Sequence, residues 1–424
     1  MPPLAFYEDS TAGQFTPIAH LRPVFELLCG HFSNRQRQTS HFRESAWGAI
    51  LRPELAEVYA AEHPTAIIND DAWLQQNSFL LMNGRCLLDP LQAETLVPGT
   101  AAWIGDTLAA VAIDPRDRLE AAAILQREPL EKLARGKKAI SFPGTVLNYP
   151  WDLVMANSDW LRADFARRTA ESPLKKWDSR VAIVGPEDQV FIHESVQIDP
   201  FVVIDSTNGP VWIDQHARIQ AFTRIEGPAW IGPGTQLFRA NVREGCSFGP
   251  VCRLGGELEE SIVHGYANKY HDGFLGHSYV CPWVNLGALT TNSDLKNDYS
   301  SVSVPLGGMS HSTGTTKVGC FIGDHTKTAL GSLINTGSAI GVMSLVLPAG
   351  ELLPKHIPSF TRYWHGRIEP LPGGPRNGFE TARTALSRRG KEFTPAMERL
   401  LEHLFAATEG ERSAAFARQT ASSN

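Results

Sequence analysis

The sequence predicts an α/β region, then a parallel β-helix of hexapeptide repeats, then short C-terminal helices. Three observations carry this. From about Val190 to about Leu347 apolar residues recur every six positions, with Ile213, Ile219, Ile225, Ile231 and Leu237 in one unbroken run. Turn residues punctuate the run, as in Ile231-Gly232-Pro233-Gly234-Thr235. Before residue 180, short apolar strands alternate with helical patterns instead. The expected boundaries are 1–180 for the α/β domain, 181–350 for the β-helix, and 351–424 for an irregular segment and helices.

In the first region, Leu4–Tyr7 reads as a strand and Pro23–Cys29 as the first turns of a helix. Pro53–Glu62 is a helix with Leu55, Val58 and Tyr59 on one face. Ala66–Asn69 and Ser78–Gly84 are strands, and Ala101–Ile104 with Ala109–Ile113 form a hairpin. Ligands of such sheets bind at the carboxyl ends of strands, which here offer Asn69 and Asn83-Gly84-Arg85. Pro150-Trp151-Asp152 opens a helix running through Asp164.

In the repeat region, three hexapeptides make one coil of a triangular prism, and each inward residue stacks on its counterpart about 18 residues later. Ile192, Ile198 and Ile204 begin the ladder; Ile322, Ile334, Ile340 and Val346 close it, with Thr328 at one rung. The ladder is interrupted at residues 265–276 and 287–297, and about Ser301–Val318 leaves it as a loop. A solenoid needs no interruptions for stability, so function is expected there. His271 stands beside Lys269 and Asp272, and an imidazole is a side chain suited to a general base; the plainer reading is a hydrogen-bonded loop histidine. After the repeats, 354–375 is rich in Pro and Gly, Asn377–Arg389 is a helix ended by Gly390, and Thr394-Pro395 opens another. Residues 420–424 are expected to fray.

A net charge of −6 argues against a nucleic-acid binder. Six cysteines without a CxxC pair read as buried thiols of a reducing cytoplasm. Met1-Pro-Pro followed by acidic residues is no signal peptide, and no apolar run is long enough to span a membrane.

The segment Ile213–Gly341 resembles the acetyltransferase half of the bifunctional enzyme that makes UDP-N-acetylglucosamine. That enzyme joins a sugar-1-phosphate uridyltransferase domain to a left-handed hexapeptide β-helix. Gly-Gly-Glu-Leu-Glu-Glu-Ser (255–261), His-Asp-Gly-Phe-Leu-Gly-His-Ser-Tyr (271–279), Asn-Ser-Asp-Leu-Lys-Asn (292–297) and Gly-Asp-His-Thr-Lys (323–327) resemble sugar nucleotidyltransferases fused to such a prism. Leu21-Arg22-Pro23, Asn83-Gly84-Arg85 and Pro150-Trp151-Asp152 extend the resemblance into the first domain.

The resemblance implies a transferase of nucleotide-sugar metabolism that uses a sugar-1-phosphate, a nucleoside triphosphate and acetyl-CoA, works in the cytoplasm and assembles as a homotrimer. It makes His271 the base and Asn292 its catalytic neighbour. Arg243, Lys269 and Asn285 would hold the sugar and its phosphate, and Lys327 and Gly341 the acyl-CoA. Arg22, Asn69 and Asn83 would hold the nucleotide, and Asp152 a magnesium ion. Several positions depart from the family pattern. Gly255-Gly256 stands where a phosphate-gripping lysine is usual, and Phe274 where a tyrosine is. The glycine-rich triphosphate loop is missing, and Arg85 follows the strand that normally leads to the magnesium aspartate. Either Asp152 or Asp89 replaces that ligand, or the domain binds nucleotide sugars without making them. The alternative for the whole chain is a non-catalytic nucleotide-sugar-binding regulator or scaffold.

Overall fold

A computed structural model describes residues 3–42, 47–169 and 178–421. The first domain is a seven-stranded sheet of β1 (Leu4–Tyr7), β2 (Trp47–Ile50), β3 (Ile67–Ile68), β4 (Phe79–Asn83), β5 (Thr100–Ile104), β6 (Thr107–Ile113) and β7 (Lys138–Ser141), in the order β7-β5-β6-β4-β1-β2-β3. β1 runs parallel to β2 and β4, whereas β6 runs antiparallel to β4 and β5. β1 is apolar at every position because both its faces are covered. Leu4 and Phe6 join Leu80 and Met82 on one side; Ala5 and Tyr7 join Leu81 and Phe79 on the other. The expected Pro23–Cys29 helix is one 3-10 turn, Val24–Glu26, followed by a strand, Leu28–Cys29. Tertiary contact overrides local preference here: the Leu28 N–H is taken by the Tyr279 hydroxyl, 251 residues away. The helix expected from Pro150 spans α1 (Pro150–Thr169).

The prism follows. Its strands stack in parallel columns that make three faces. Face 1 holds Val190–Ile192, Val211–Ile213, Ala229–Ile231 and their successors; face 2 holds Gln197–Ile198, Arg218–Ile219 and theirs; face 3 holds Val203–Asp205, Arg224–Glu226 and theirs. All five residues of the Ile213-to-Leu237 run point inward, each at most 1% exposed. Ile213 stacks under Ile231, Ile219 under Leu237, and Ile204 under Ile225. From the second coil on, the corner between faces 1 and 2 takes one left-handed residue: Gly234 in one coil, and His216, Val251, Tyr266, Trp283, His325, Met343 and Phe360 at φ +53° to +64° in the others. Such conformations are sparse for bulky residues and persist because the stacked coils over-determine them.

The coils do not stop at Leu347. His356–Ile357 pairs with Ser338–Ile340 on face 1, and Thr361–Trp364 with Leu345–Leu347 on face 2. The stretch read as irregular therefore supplies another coil, with Ile357 and Tyr363 buried in its core.

The outward residues of the face 1 strands are mostly aromatic or apolar, with Phe191, Trp212, Trp230, Ile262, Tyr279 and Phe321 in one register and Ser247 between Trp230 and Ile262. This stripe is buried under residues 12–29 and α1. Polar ties pin the contact: the Ser247 hydroxyl donates to the Gly30 carbonyl (2.8 Å), and the Asn157 amide to the Gly245 carbonyl (2.9 Å). The two halves are thus packed together along one face. At the C-terminus, α2 (Pro375–Ser387), α3 (Pro395–Ala407) and α4 (Glu409–Ala421) cover the later coils. α3 also packs Ala396 and Leu400 on the α/β sheet, so the helices are the packing device their pattern suggests. Of the tail expected to fray, 420–421 lie in α4 and 422–424 lie outside the described residues.

Candidate functional site

At the carboxyl edge of the sheet, Asp9 follows β1 and Arg85 follows β4. Arg85 Nε donates to Asp9 Oδ2 at 2.7 Å, and both side chains are buried. Burial opposes ionisation of Asp9, but Arg85 and Thr11 outweigh it and hold the carboxyl below its usual range. Asn83 bridges the pair, donating to Asp9 (3.2 Å) and to the Leu108 carbonyl (3.0 Å). Asn69, at φ +49°, exchanges two 3.0 Å bonds with the backbone of Leu51.

The two candidate magnesium ligands are occupied locally. Asp152 accepts the N–H groups of Asn148 (2.7 Å) and Tyr149 (3.0 Å) at the start of α1, and Asp89 caps a short helix through Leu91 N. Among the described residues no three His, Cys, Asp or Glu side chains converge as a metal site. With Asp9 already paired to a cation, this carboxylate set does not fit magnesium.

Arg22 turns away from Asn69 and Asn83. Its guanidinium donates to the Ile18 carbonyl (2.9 Å) and, in bidentate fashion, to Asp324 of the prism. Burial alone would weaken its charge, but Asp324 more than restores it. The expectation of a nucleotide contact gives way to an ion pair between the two halves.

On face 2 the outward residues Arg253, Asn268, Asn285 and Lys327 stand in one column. Asn268 donates to Asn285 Oδ1 at 2.7 Å. Tyr266 and Trp283 stack beside them, rings 4.6 Å apart. α2, with Arg388 and Arg389 after it, closes the column into a cleft of about 450 Å³. A second cavity of about 210 Å³ shares Lys327 and continues along His325, Met343, Leu345, Leu371 and Ala382. Burial pushes Lys327 down to about 8. Burial and then Arg253 lower Arg389. Among the described residues Arg253, Arg388, Arg389 and Lys327 meet no carboxylate partner, whereas most arginines of this chain do. Lys327 Nζ donates to the Trp283 carbonyl, and with the three arginines it gives the cleft a positive lining without acids, which suits an anion.

The remaining expected residues lie elsewhere. His271 is exposed at the corner between faces 2 and 3, its ring 4.9 Å from Tyr270. Lys269 points inward; its Nζ donates to the carbonyls of Gly255 and His271 and so does not face a phosphate. Asn292 is buried, accepting from Gly276 N (2.8 Å) and donating to Gly276 O (3.0 Å), which clamps adjacent coils. Arg243 lies 3.8–3.9 Å from Glu226, Glu257 and Glu259, so its charge is answered by acids. Gly341 is a packing position: a Cβ there would stand 2.2 Å from Ser359 N.

The structure therefore unites Asn285 and Lys327 and separates both from Arg243 and Asn292. Arg253, Tyr266, Asn268, Trp283, Arg388 and Arg389 were missed. A signal existed for the column: Arg253, Asn268, Asn285 and Lys327 each precede an inward rung of face 2, at Leu254, Lys269, Leu286 and Thr328.

Fold and cleft define a class: an α/β unit seated on a parallel β-helix that carries a cationic cleft. Residues 4–172 match the family model described as sugar nucleotidyl transferase, so this half is a nucleotidyltransferase-like domain. A bifunctional sugar-1-phosphate nucleotidylyltransferase/acetyltransferase of Sulfurisphaera tokodaii is 32% identical over 152 residues, 33% of this chain and 36% of that protein. The chain thus spans about a third of that relative's length. An uncharacterized acetyltransferase, YaiX, of Escherichia coli O6:K15:H31 is 28% identical over 171 residues, 40% of this chain and 74% of that protein. The solved Arabidopsis UDP-N-acetylglucosamine acyltransferase aligns at 12% identity and a TM-score of 0.26, over 56% of this chain and 94% of that one.

Proposed function

We propose that the chain is a transferase of nucleotide-sugar metabolism whose prism transfers an acyl group from acyl-CoA to an amino-sugar phosphate or nucleotide amino sugar. One observation carries this reading. The face 2 cleft sets Arg253, Arg388, Arg389 and Lys327, all without acids, at one end and Met343, Leu345 and Leu371 at the other. An acyl-CoA has the same polarity: phosphates at one end, a thioester on a long arm at the other. The first relative's name, which includes acetyltransferase, agrees.

His271, two residues beyond the strand Asn268–Lys269 that contributes Asn268 to the cleft, is the proposed base. In the transfer, the amine attacks the thioester carbonyl and passes a proton to the imidazole as the C–N bond forms. The tetrahedral oxyanion then collapses and expels the CoA thiolate, which takes that proton. Lys269, anchored on the His271 carbonyl, holds the corner without entering the chemistry.

For the first domain we propose sugar-phosphate and nucleotide binding. The Asp9–Arg85 pair favours binding without nucleotidyl transfer, since a buried arginine stands where the resemblance places the magnesium aspartate and its charge is answered by Asp9. Six buried, unpaired thiols suit a reducing cytoplasm; among the described residues no helix is long and apolar enough to cross a membrane. A homotrimer is proposed as the assembly, read by light scattering.

Two assays test the function. Thiol release from acetyl-CoA is followed with a panel of amino-sugar phosphates, and pyrophosphate release with each nucleoside triphosphate, sugar-1-phosphates and added magnesium. CoA release with at least one acceptor, and none without, is expected. Acetyl-CoA binding that survives reversal of Arg253 and Arg389 together would overturn the assignment of the cleft.

A further inference from the structure

A second pocket lies at the corner between faces 3 and 1, on a different part of the prism from the cleft. It encloses about 280 Å³ between α1, the coil corner and the segment 315–318. Trp151, Val154 and Met155 form its apolar wall; Glu260, His277 and Lys317 form its polar one. His277 Nδ1 lies 2.8 Å from Asp294 Oδ2, within a hydrogen bond. As Asp294 is a carboxylate, Nδ1–H is the donor, and Nε2 is the ring nitrogen that this bond leaves unengaged.

The charges around this dyad are unevenly matched. Glu259 is answered by Lys317 (3.5 Å) and Arg243 (3.8 Å). Asp294 has His277. Glu260 accepts from the Ser158 hydroxyl, at 3.2–3.3 Å from its two oxygens, and among the described residues has no ion-pair contact within 4 Å. Burial pushes its carboxyl up and outweighs the opposing influence of His277 and of Ser158, so a further cation placed against it would be favoured. A Cβ at residue 245 would lie 2.1 Å from the Glu260 carboxylate, so Gly245 leaves room for this side chain.

We propose that this pocket binds a small primary amine, of monosaccharide size or less, with Glu260 holding the ammonium and His277 accepting its proton. The ammonium N–H bond breaks as the proton moves to the free imidazole nitrogen. The imidazolium is stabilised by Asp294, and the amine is left neutral with its lone pair exposed for attack. Asp294 acts through His277 and is a positioning residue. The apolar wall at Trp151 and Met155 accepts the carbon face of the ligand. This pocket is assigned by its own geometry and stands whether or not the cleft binds acyl-CoA.

Glucosamine is the probe, and glucose, which replaces the ammonium by a hydroxyl, is the control. Binding to the full chain is measured by calorimetry and by 15N shifts of labelled histidines, with His277→Gln identifying the His277 signals. Glucosamine should bind at one site and move the His277 signals, and glucose should not. Glu260→Gln should weaken binding by roughly tenfold or more, as loss of a charge-assisted bond does. Asp294→Asn should retain binding but change the His277 tautomer. Met155→Trp, which fills the cavity from its wall, should abolish binding while circular dichroism stays that of the wild type. Equal binding of glucose, no binding of glucosamine, or full affinity in either Glu260→Gln or Met155→Trp overturns the proposal.

Discussion

The Nζ of Lys269 donates to the carbonyl of His271 at 3.0 Å from inside the prism. Lys269 occupies an inward rung, stacked on Leu254, where every neighbouring coil places an apolar side chain or threonine. A lysine is tolerated there because its ammonium reaches the corner and finds two carbonyls, Gly255 and His271, both at 3.0 Å. The cost of burying it shows in its pKa, pushed down to about 8.

That cost depends on pH with a definite sign. The folded value lies below the unfolded one, so between pH 8 and about 10.4 the unfolded chain binds more protons. The penalty is full below pH 8 and fades as pH rises to about 10.4. Lys269→Met should therefore gain stability over wild type most clearly at pH 7, with the gap in denaturation midpoints closing towards pH 10. The same variant should lose acyl transfer if the His271 corner is held by this bond. A gap that widens with pH contradicts the assignment.

Ile225 is fully buried, stacked between Ile204 and Val242. Ile225→Asp places an unpaired carboxylate in that column and should cost more than about 4 kcal/mol, enough to lose the folded state. Ile225→Val should cost only about 1 kcal/mol. Chemical denaturation monitored by circular dichroism measures both.

In the cleft, Arg253→Glu and Arg389→Glu should each weaken acetyl-CoA binding by roughly tenfold, with thermal stability little changed, because neither arginine has a carboxylate to lose. The loss should shrink as salt is raised. His271→Ala should lower kcat by roughly 10²–10⁴-fold while acetyl-CoA still binds.

Asp324→Asn leaves the Arg22 guanidinium without its counter-ion at a contact where Asp324 is 2% exposed. It should destabilise the protein by about 3–5 kcal/mol. Arg22→Ala should leave affinity for nucleoside triphosphates unchanged, since the side chain is spent on the prism. A large loss of nucleotide affinity would restore Arg22 to the first domain's pocket.

The inward ladder was legible because a stacked core accepts little but apolar side chains, and the six-residue step reports that demand directly. Its range was not. Coil length varies, from 21 residues between Ile204 and Ile225 to 15 between Leu254 and Lys269, 42 across the insertion between Val280 and Ile322 and 17 between Val346 and Tyr363, so a fixed period loses the last coil beyond Leu347. Residue roles travelled less well. Asn292 and Gly341 look like ligand contacts in a motif, yet one clamps a neighbouring coil and the other makes room for Ser359. Arg22 meets Asp324 across 302 residues, a relation no local pattern encodes. Asn285 and Lys327, named from the motif, do line one cleft, but the arginines beside them come partly from the residues after α2, which only folding brings near.

The triplets Val-Phe-Ile, Val-Trp-Ile, Ala-Trp-Ile and Cys-Phe-Ile of face 1 are apolar throughout, unlike Arg-Ile-Glu on face 3. They need cover on the outside as well as stacking within. A repeat domain cut free near residue 181 would bare a ribbon of Trp212, Trp230, Ile262, Tyr279 and Phe321 along its length and would aggregate. The two halves are therefore inseparable in solution: they should melt as one cooperative unit, and a soluble stand-alone prism requires those outward positions to be recoded as polar.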